Sequence, residues 1–173
     1  YALNDTAVDY PGTPLVHEQV SLQAAASPDA IALTFDGAEL SYGELEQRAN
    51  QLAHQLIAWG ITLEQPVGVC MERSLEMVVA LLAVLKAGGA YLPLDPELPP
   101  ARLGFMLTDS AVSVVLTQGR FADLLAGYSG RVVALDSDWN AFAAQPTHPP
   151  TPGVTSETPF NVIYTSGSTG KPK

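Results

Sequence analysis

The sequence contains few of the residues on which several common kinds of protein site depend. There is one cysteine in 173 residues, so no disulfide can form within the chain. The three histidines are far apart and show no metal-ligand spacing. Eight lysines and arginines stand against eighteen acidic residues, and the net charge of −10 argues against nonspecific binding to nucleic acid or to an anionic membrane surface. The longest apolar run, 77–85, is too short to cross a bilayer.

Apolar residues, by contrast, are abundant. The chain is 47% hydrophobic and 15% charged, a balance typical of a folded protein rather than a disordered one. Its length is sufficient for one hydrophobic core or two small lobes. Cys70 lies inside the apolar run 66–71, which favours a buried, unreactive thiol over a reactive one. A single reduced cysteine fits a cytoplasmic protein.

Helical and strand-like segments alternate through most of the sequence. Apolar spacing and end signals predict helices over 15–26, 42–59, 75–87, 100–107 and 121–126. Short apolar runs predict strands over 30–35, 67–71, 90–94, 113–117, 131–135 and 160–164. Asp36 and Gly37 form a hairpin-turn signal after the first strand. The alternation predicts an α/β fold, in which a mostly parallel sheet is flanked by helices.

The helix over 42–59 has the clearest signals. Ser41 and Glu44 have the spacing of a capping box at its start. Apolar residues then recur at intervals of three and four, which places them on one helix face, and they are Tyr42, Leu45, Ala49, Leu52, Leu56 and Trp59. Arg48 and His54 fall outside this stripe and are predicted to face solvent.

Two stretches have the composition of connections. Residues 1–14 are polar and contain two prolines, which predicts an extended linker. Residues 145–159 hold five of the fourteen prolines and predict a surface linker. The chain starts at Tyr1 rather than Met and ends within a motif, so we expect both ends to belong to a longer protein.

That final motif is the strongest candidate site. The run 160–164 predicts a buried strand, and small residues and two lysines follow it. Backbone N–H groups and hydroxyls of such a loop can surround an anion, and lysines supply positive charge. The candidate phosphate-binding residues are Thr165, Ser166, Gly167, Ser168, Thr169, Gly170, Lys171 and Lys173. An ordinary Ser/Gly turn is the alternative, and the spacing matches neither a Walker A loop nor a Rossmann fingerprint.

Four separated stretches resemble one family. Segment 164–173 resembles the phosphate-loop signature of the adenylate-forming enzymes. Segments 40–45 and 85–95 resemble motifs of the adenylation domains of nonribosomal peptide synthetases, and 85–95 marks the amino-acid-activating branch. Segment 3–11 resembles the linker that follows an upstream condensation domain. The chain is therefore identified as the N-terminal portion of such an adenylation domain.

The resemblance implies the domain organisation and the reaction. Residues 1–14 would be the linker, and 15–173 the beginning of the adenylation domain, cut within its phosphate loop. The whole domain would use ATP and Mg²⁺ to convert an amino acid into an aminoacyl-adenylate and pyrophosphate, and then pass the acyl group to the phosphopantetheine of a carrier domain. In the family pattern Lys171 occupies a variable position, so the resemblance favours Lys173 as the cation on phosphate.

The resemblance also implies what this piece needs. Its partners would be the amino acid, the carrier domain, the condensation domain and the remainder of the adenylation domain, in the cytoplasm. The catalytic and metal-binding residues of the family lie beyond this sequence, so we expect the piece alone to be inactive. Asp95 and Tyr42 lie in matched motifs, and we interpret Asp95 as a helix or turn cap and Tyr42 as a core aromatic residue. Two alternatives are a standalone acyl- or aryl-CoA ligase and a purely structural fragment.

Overall fold

The structure, a computed structural model, describes residues 15–165. Helices α1 to α4 span Val16–Ala26, Tyr42–Ala58, Leu75–Lys86 and Pro100–Asp109. Strands β1 to β6 span Ile31–Phe35, Ala38–Ser41, Pro66–Cys70, Ala90–Pro93, Val114–Thr117 and Arg131–Ala134. Two 3-10 helices span Gly119–Leu125 and Trp139–Ala141. The predicted linker 1–14 lies outside the described residues.

A four-stranded parallel sheet forms the centre of the fold, in the order β4-β3-β5-β6. Helix α3 connects β3 to β4, and α4 connects β4 to β5. Such helical crossovers return the chain to the same end of the sheet, which is why the strands are parallel. The predicted α/β fold with a mostly parallel sheet is confirmed.

The sheet is covered on both faces. Alternate side chains of β5 enter different apolar clusters, because successive residues of a strand point to opposite faces. Val114 and Leu116 pack in the cluster that contains residues of α2 and α3, whereas Val115 packs with residues of α4. The sheet is therefore buried between two helical layers, as parallel sheets usually are.

The hairpin β1–β2 stands apart from this sheet and is antiparallel. Asp36 and Gly37 have φ of 49° and 78° at its turn. Two consecutive residues with positive φ match the twist of a tight hairpin, so the turn prediction is confirmed.

Helix α2 begins at the predicted capping box. The Ser41 hydroxyl accepts a hydrogen bond from the Glu44 N–H at 3.2 Å, and the Glu44 carboxylate accepts one from the Ser41 N–H at 2.9 Å. The predicted apolar face is largely buried, with Tyr42 and Trp59 half-buried at its ends and Leu45, Ala49, Leu52 and Leu56 inside.

The expectation that Arg48 and His54 face solvent needs correction, because both are half-buried. The guanidinium of Arg48 lies 5.6 Å from the ring centre of Trp139. The ring of His54 is 3.0 Å, nitrogen to oxygen, from the carbonyl of His148. The chain crosses α2 after the last strand and covers these side chains, a long-range contact that helical periodicity does not contain.

The predicted buried strand over 160–164 is wrong. A single parallel bridge joins Asn161 to Tyr91 at the β4 edge, and Phe160 and Ile163 are 58% and 60% exposed. The segment lies beside an edge strand, and within residues 15–165 no strand pairs with its other side. An apolar run therefore stays at the surface here, although its composition is that of a core strand.

Candidate functional site

The carboxyl ends of the parallel strands meet at one edge of the sheet, where ligands of such folds usually bind. The Gln118 side-chain oxygen, beyond β5, accepts hydrogen bonds from the Glu72 N–H at 3.1 Å and from Arg120 at 3.2 Å. Arg120 also pairs with the Glu72 carboxylate at 2.8 Å. Asp136, beyond β6, accepts a hydrogen bond from the Gly119 N–H at 2.8 Å. These polar groups form hydrogen bonds with one another and so connect the loops that follow β3, β5 and β6.

A groove of about 800 Å³ opens beside the ends of β3 and β4. Its lining includes Met71, Arg73, Tyr91 and Asp95. The Asp95 carboxylate accepts a hydrogen bond from the Glu97 N–H at 2.9 Å, which closes the turn after β4. The interpretation of Asp95 as a turn cap is thus confirmed. Tyr42 is half-buried in the first turn of α2 rather than fully in the core.

The segment before the predicted phosphate loop approaches the same edge. Its bridge to β4 is parallel, with hydrogen bonds of 3.0 Å from the Tyr91 N–H to the Phe160 carbonyl and from the Val162 N–H to the Tyr91 carbonyl. It therefore runs toward the carboxyl ends of the strands. Thr165 is exposed at the end of this segment.

Only Thr165 of the eight predicted phosphate-binding residues is described by the structure. The other seven lie outside the described residues, and they are Ser166, Gly167, Ser168, Thr169, Gly170, Lys171 and Lys173. The assignment of these residues to phosphate therefore stays a prediction.

Tyr164, immediately before Thr165, is held against α4. Its hydroxyl donates a hydrogen bond to the Asp109 carboxylate at 2.5 Å, and its ring centre lies 6.3 Å from that of Phe105. Burial, reinforced by the hydrogen bond and negative charge of Asp109, raises the pKa of Tyr164 to about 12. The phenol thus stays protonated at any physiological pH and can donate its hydrogen bond to the Asp109 carboxylate.

Cys70 is buried at the end of β3, as predicted. Burial raises the pKa of its thiol to about 11, and the charge of Asp95 acts in the same direction. A thiol with such a pKa is almost entirely protonated near neutral pH and is a poor nucleophile. Cys70 is therefore a packing residue of the sheet.

A buried polar cluster lies between the first three helices, and sequence reasoning missed it. The Lys86 ammonium is 2% exposed and donates to the Glu46 carboxylate at 2.9 Å and to the Ser21 hydroxyl at 2.8 Å. Asn50 donates to the same Glu46 oxygen at 3.0 Å. The signal was a lysine at the end of a helix that is apolar from Met77 onward, inside segment 85–95. This cluster joins the helices and lies away from the loop edge of the sheet.

Residues 15–165 contain neither a metal site nor a membrane span. Within them, no group of three or more His, Cys, Asp or Glu side chains could hold a metal ion. No helix of this part is both long and apolar enough to span a membrane.

Comparison with known proteins decides the family. A family model described as AMP-binding enzyme matches residues 20–173. The chain belongs to the AMP-binding enzyme family. This finding confirms the family resemblance of the sequence motifs.

The chain is similar to two named synthases and to a nonribosomal peptide synthetase of known structure. The chain is 48% identical over 170 residues to a linear gramicidin synthase of Brevibacillus parabrevis, covering 98% of this chain and 2% of the relative. It is 49% identical over 173 residues to chondramide synthase cmdD of Chondromyces crocatus, and the match covers 98% of this chain and 4% of that protein. The crystal structure of the nonribosomal peptide synthetase FmoA3 in its AMPPNP-bound form matches with a TM-score of 0.85 and 38% identity, covering 94% of this chain and 17% of that one. The chain thus spans a small part of the length of these proteins.

Proposed function

We propose that this AMP-binding chain is the N-terminal part of an amino-acid-activating adenylation domain of a nonribosomal peptide synthetase. The observation that carries the proposal is the identity of nearly one half, over almost the entire chain, to a linear gramicidin synthase and to chondramide synthase. The matched motif 85–95 supports the amino-acid branch over a standalone acyl- or aryl-CoA ligase. In this proposal residues 15–173 begin the adenylation domain and residues 1–14 form the linker to a condensation domain.

The proposed reaction has two halves. An amino-acid carboxylate attacks the α-phosphorus of ATP, the bond to the bridging oxygen breaks, and pyrophosphate leaves with the electron pair. The phosphopantetheine thiol of a carrier domain then attacks the acyl carbon of the aminoacyl-adenylate, and AMP leaves. ATP enters with Mg²⁺, which neutralises phosphate charge. The proposed location is the cytoplasm, where ATP is available and the carrier thiol stays reduced.

The loop after Tyr164 is proposed to stabilise the departing pyrophosphate. Negative charge grows on the β-phosphate as the bond breaks, and donors placed on its oxygens lower the barrier. Thr165, Ser166, Ser168 and Thr169 supply hydroxyls, Gly167 and Gly170 permit close approach of the backbone, and Lys171 and Lys173 supply positive charge. The parallel course of the segment before Thr165, toward the carboxyl ends of the strands, supports this role.

Amino-acid-dependent exchange of pyrophosphate into ATP tests the proposal. The complete adenylation domain is expected to catalyse exchange with one amino acid, or a few similar ones, from a panel of the proteinogenic set. Fatty and aryl acids serve as the control panel and should not support exchange. Exchange with those acids alone would favour the CoA-ligase alternative, and exchange by the isolated 173-residue chain would refute the expectation that it is inactive.

A further inference from the structure

The predicted loop is preceded by two points of attachment on different elements. The first is the bridge between Asn161 and Tyr91 at the edge of β4. The second, three residues later, is the hydrogen bond from the Tyr164 hydroxyl to Asp109 at the end of α4. Thr165 follows directly, so Tyr164 is the last residue before the loop for which the structure provides a side-chain attachment.

Asp109 lies at a position where a carboxylate does not stabilise its own helix. It is the last residue of α4, whose final turn carries no basic residue. The negative end of the helix dipole disfavours an anion at this position. No lysine or arginine among residues 15–165 forms an ion pair with it. In the structure the Asp109 carboxylate accepts a hydrogen bond from the Tyr164 hydroxyl.

The contact between them combines a short hydrogen bond at an exposed position with aromatic packing. The oxygen–oxygen distance of 2.5 Å lies in the range of a charge-assisted hydrogen bond between a hydroxyl and a carboxylate. Phe105, one turn earlier on α4, packs edge-on against the Tyr164 ring. Val162 and Tyr164 also pack against the apolar cluster on this face of the sheet, so the tether continues into the core.

We propose that Asp109 is a positioning residue for adenylate formation, because it holds Tyr164 on α4 and thereby fixes the point from which the phosphate loop begins. The inference rests on the proposed role of that loop. Without this hydrogen bond, Tyr164 keeps only the contacts of its ring with Phe105 and the apolar cluster, so the point from which the loop begins is less firmly fixed before phosphate binds. Small errors in placing a catalytic group, of about 1 Å, can lower a rate by about 100-fold.

The test uses the complete adenylation domain and three substitutions. Y164F removes the single oxygen that donates to Asp109, D109A removes the acceptor, and D109N keeps an acceptor without the charge. Y128F is the matched control, because the Tyr128 hydroxyl donates a hydrogen bond of 2.7 Å to the Val112 carbonyl and therefore holds neither Tyr164 nor Asp109. Steady-state pyrophosphate exchange gives kcat and the KM values for ATP and for the amino acid, and thermal unfolding gives Tm.

We expect Y164F and D109A to lower kcat/KM for ATP about 10- to 100-fold, with the KM for the amino acid unchanged. D109N should recover part of the loss, and the double variant Y164F/D109A should be no worse than the more damaged single variant. Y128F should lower Tm by about as much as Y164F does, because each loses one hydroxyl hydrogen bond, but it should leave the kinetics unchanged.

The positioning role would be overturned if Y164F lowered Tm without changing the ATP kinetics, or if the two losses multiplied in the double variant. Y164F differs from the native chain by one oxygen and carries the test should D109A fail to fold. Absence of exchange in the unmodified domain would overturn the proposed function, and the positioning role with it. If the unmodified domain is active and the Y164F and D109A variants have the same ATP kinetics as it has, the positioning role alone is overturned.

Discussion

Replacement of Lys86 by alanine is expected to lower the free energy of unfolding by about 3–5 kcal/mol, the range typical of breaking a buried ion pair. The Lys86 side chain is 2% exposed and that of Glu46 13%, and their nitrogen–oxygen distance is 2.9 Å. The variant removes the only cation paired with Glu46 in the described part of the chain. It leaves a carboxylate that is largely cut off from water.

The surroundings of Glu46 make this loss hard to repair. One of its oxygens accepts hydrogen bonds from Lys86, Ser21 and Asn50, at 2.9, 2.9 and 3.0 Å. The other oxygen is buried and has no hydrogen-bond partner within residues 15–165. A carboxylate in this state depends on the positive charge of Lys86, since neutral donors compensate only part of the cost of removing it from water.

The exposed ion pair between Arg120 and Glu72 provides the control for the Lys86 experiment. Its distance of 2.8 Å is similar, but its side chains are 55% and 53% exposed. Exposed pairs contribute about 0–1 kcal/mol, so R120A should have a small effect when the free energy of unfolding of both variants is measured by urea denaturation. The double variant K86M/E46L, which removes both charges, should be less damaging than K86A. Equal effects of K86A and R120A would contradict the buried-pair interpretation.

Replacement of Lys173 by alanine in the complete domain is expected to lower kcat for adenylate formation by about 100- to 1,000-fold, as loss of one donor to a developing oxyanion typically does. The expectation rests on the proposed role of the loop in receiving charge on the β-phosphate. The measurement is single-turnover formation of aminoacyl-adenylate at saturating ATP, which separates the chemical step from ATP binding.

Lys171, two residues away on the same loop, is the matched control for Lys173. K171A removes the same charge at the position that varies in the family pattern, so we expect less than a tenfold loss. A comparable loss in both variants would show that the loop acts through its total charge rather than through one placed cation. A larger loss in K171A than in K173A would contradict the assignment of Lys173.

Local signals in the sequence predicted most of the fold. The capping box at Ser41, the turn at Asp36 and Gly37, and the alternation of helices with short apolar runs describe interactions between residues close in the chain. These interactions form wherever the chain allows them, so their patterns are readable without tertiary information. The parallel sheet followed from the alternation of strands with helices along the sequence.

The errors have one physical origin, which is contact between residues far apart in sequence. The half-burial of His54 depends on His148, and the ion pair of Lys86 depends on Glu46. The run 160–164 has the composition of a core strand, yet it lies at the edge of β4. No periodicity within a segment reports which distant segment will cover it.

The same distinction between local signals and long-range contacts applies to the candidate site. The phosphate role of the loop after Tyr164 stays a prediction from its chemistry, because small hydroxyl and glycine residues beside lysines are typical of phosphate binding. The tether of Tyr164 to Asp109 was not readable, since the two residues are 55 positions apart and neither carries a motif signal for the other. It depends on the placement of the segment against α4.

Intact-mass measurement of the carrier domain tests the central claim most directly, because it requires both halves of the proposed reaction. The parent protein, with its carrier bearing phosphopantetheine, is incubated with ATP, Mg²⁺ and individual amino acids. We predict a mass increase on the carrier equal to that of one aminoacyl group, dependent on ATP and restricted to one amino acid or a few similar ones. Absence of loading with every amino acid, together with formation of a CoA thioester from another carboxylic acid, would contradict the account.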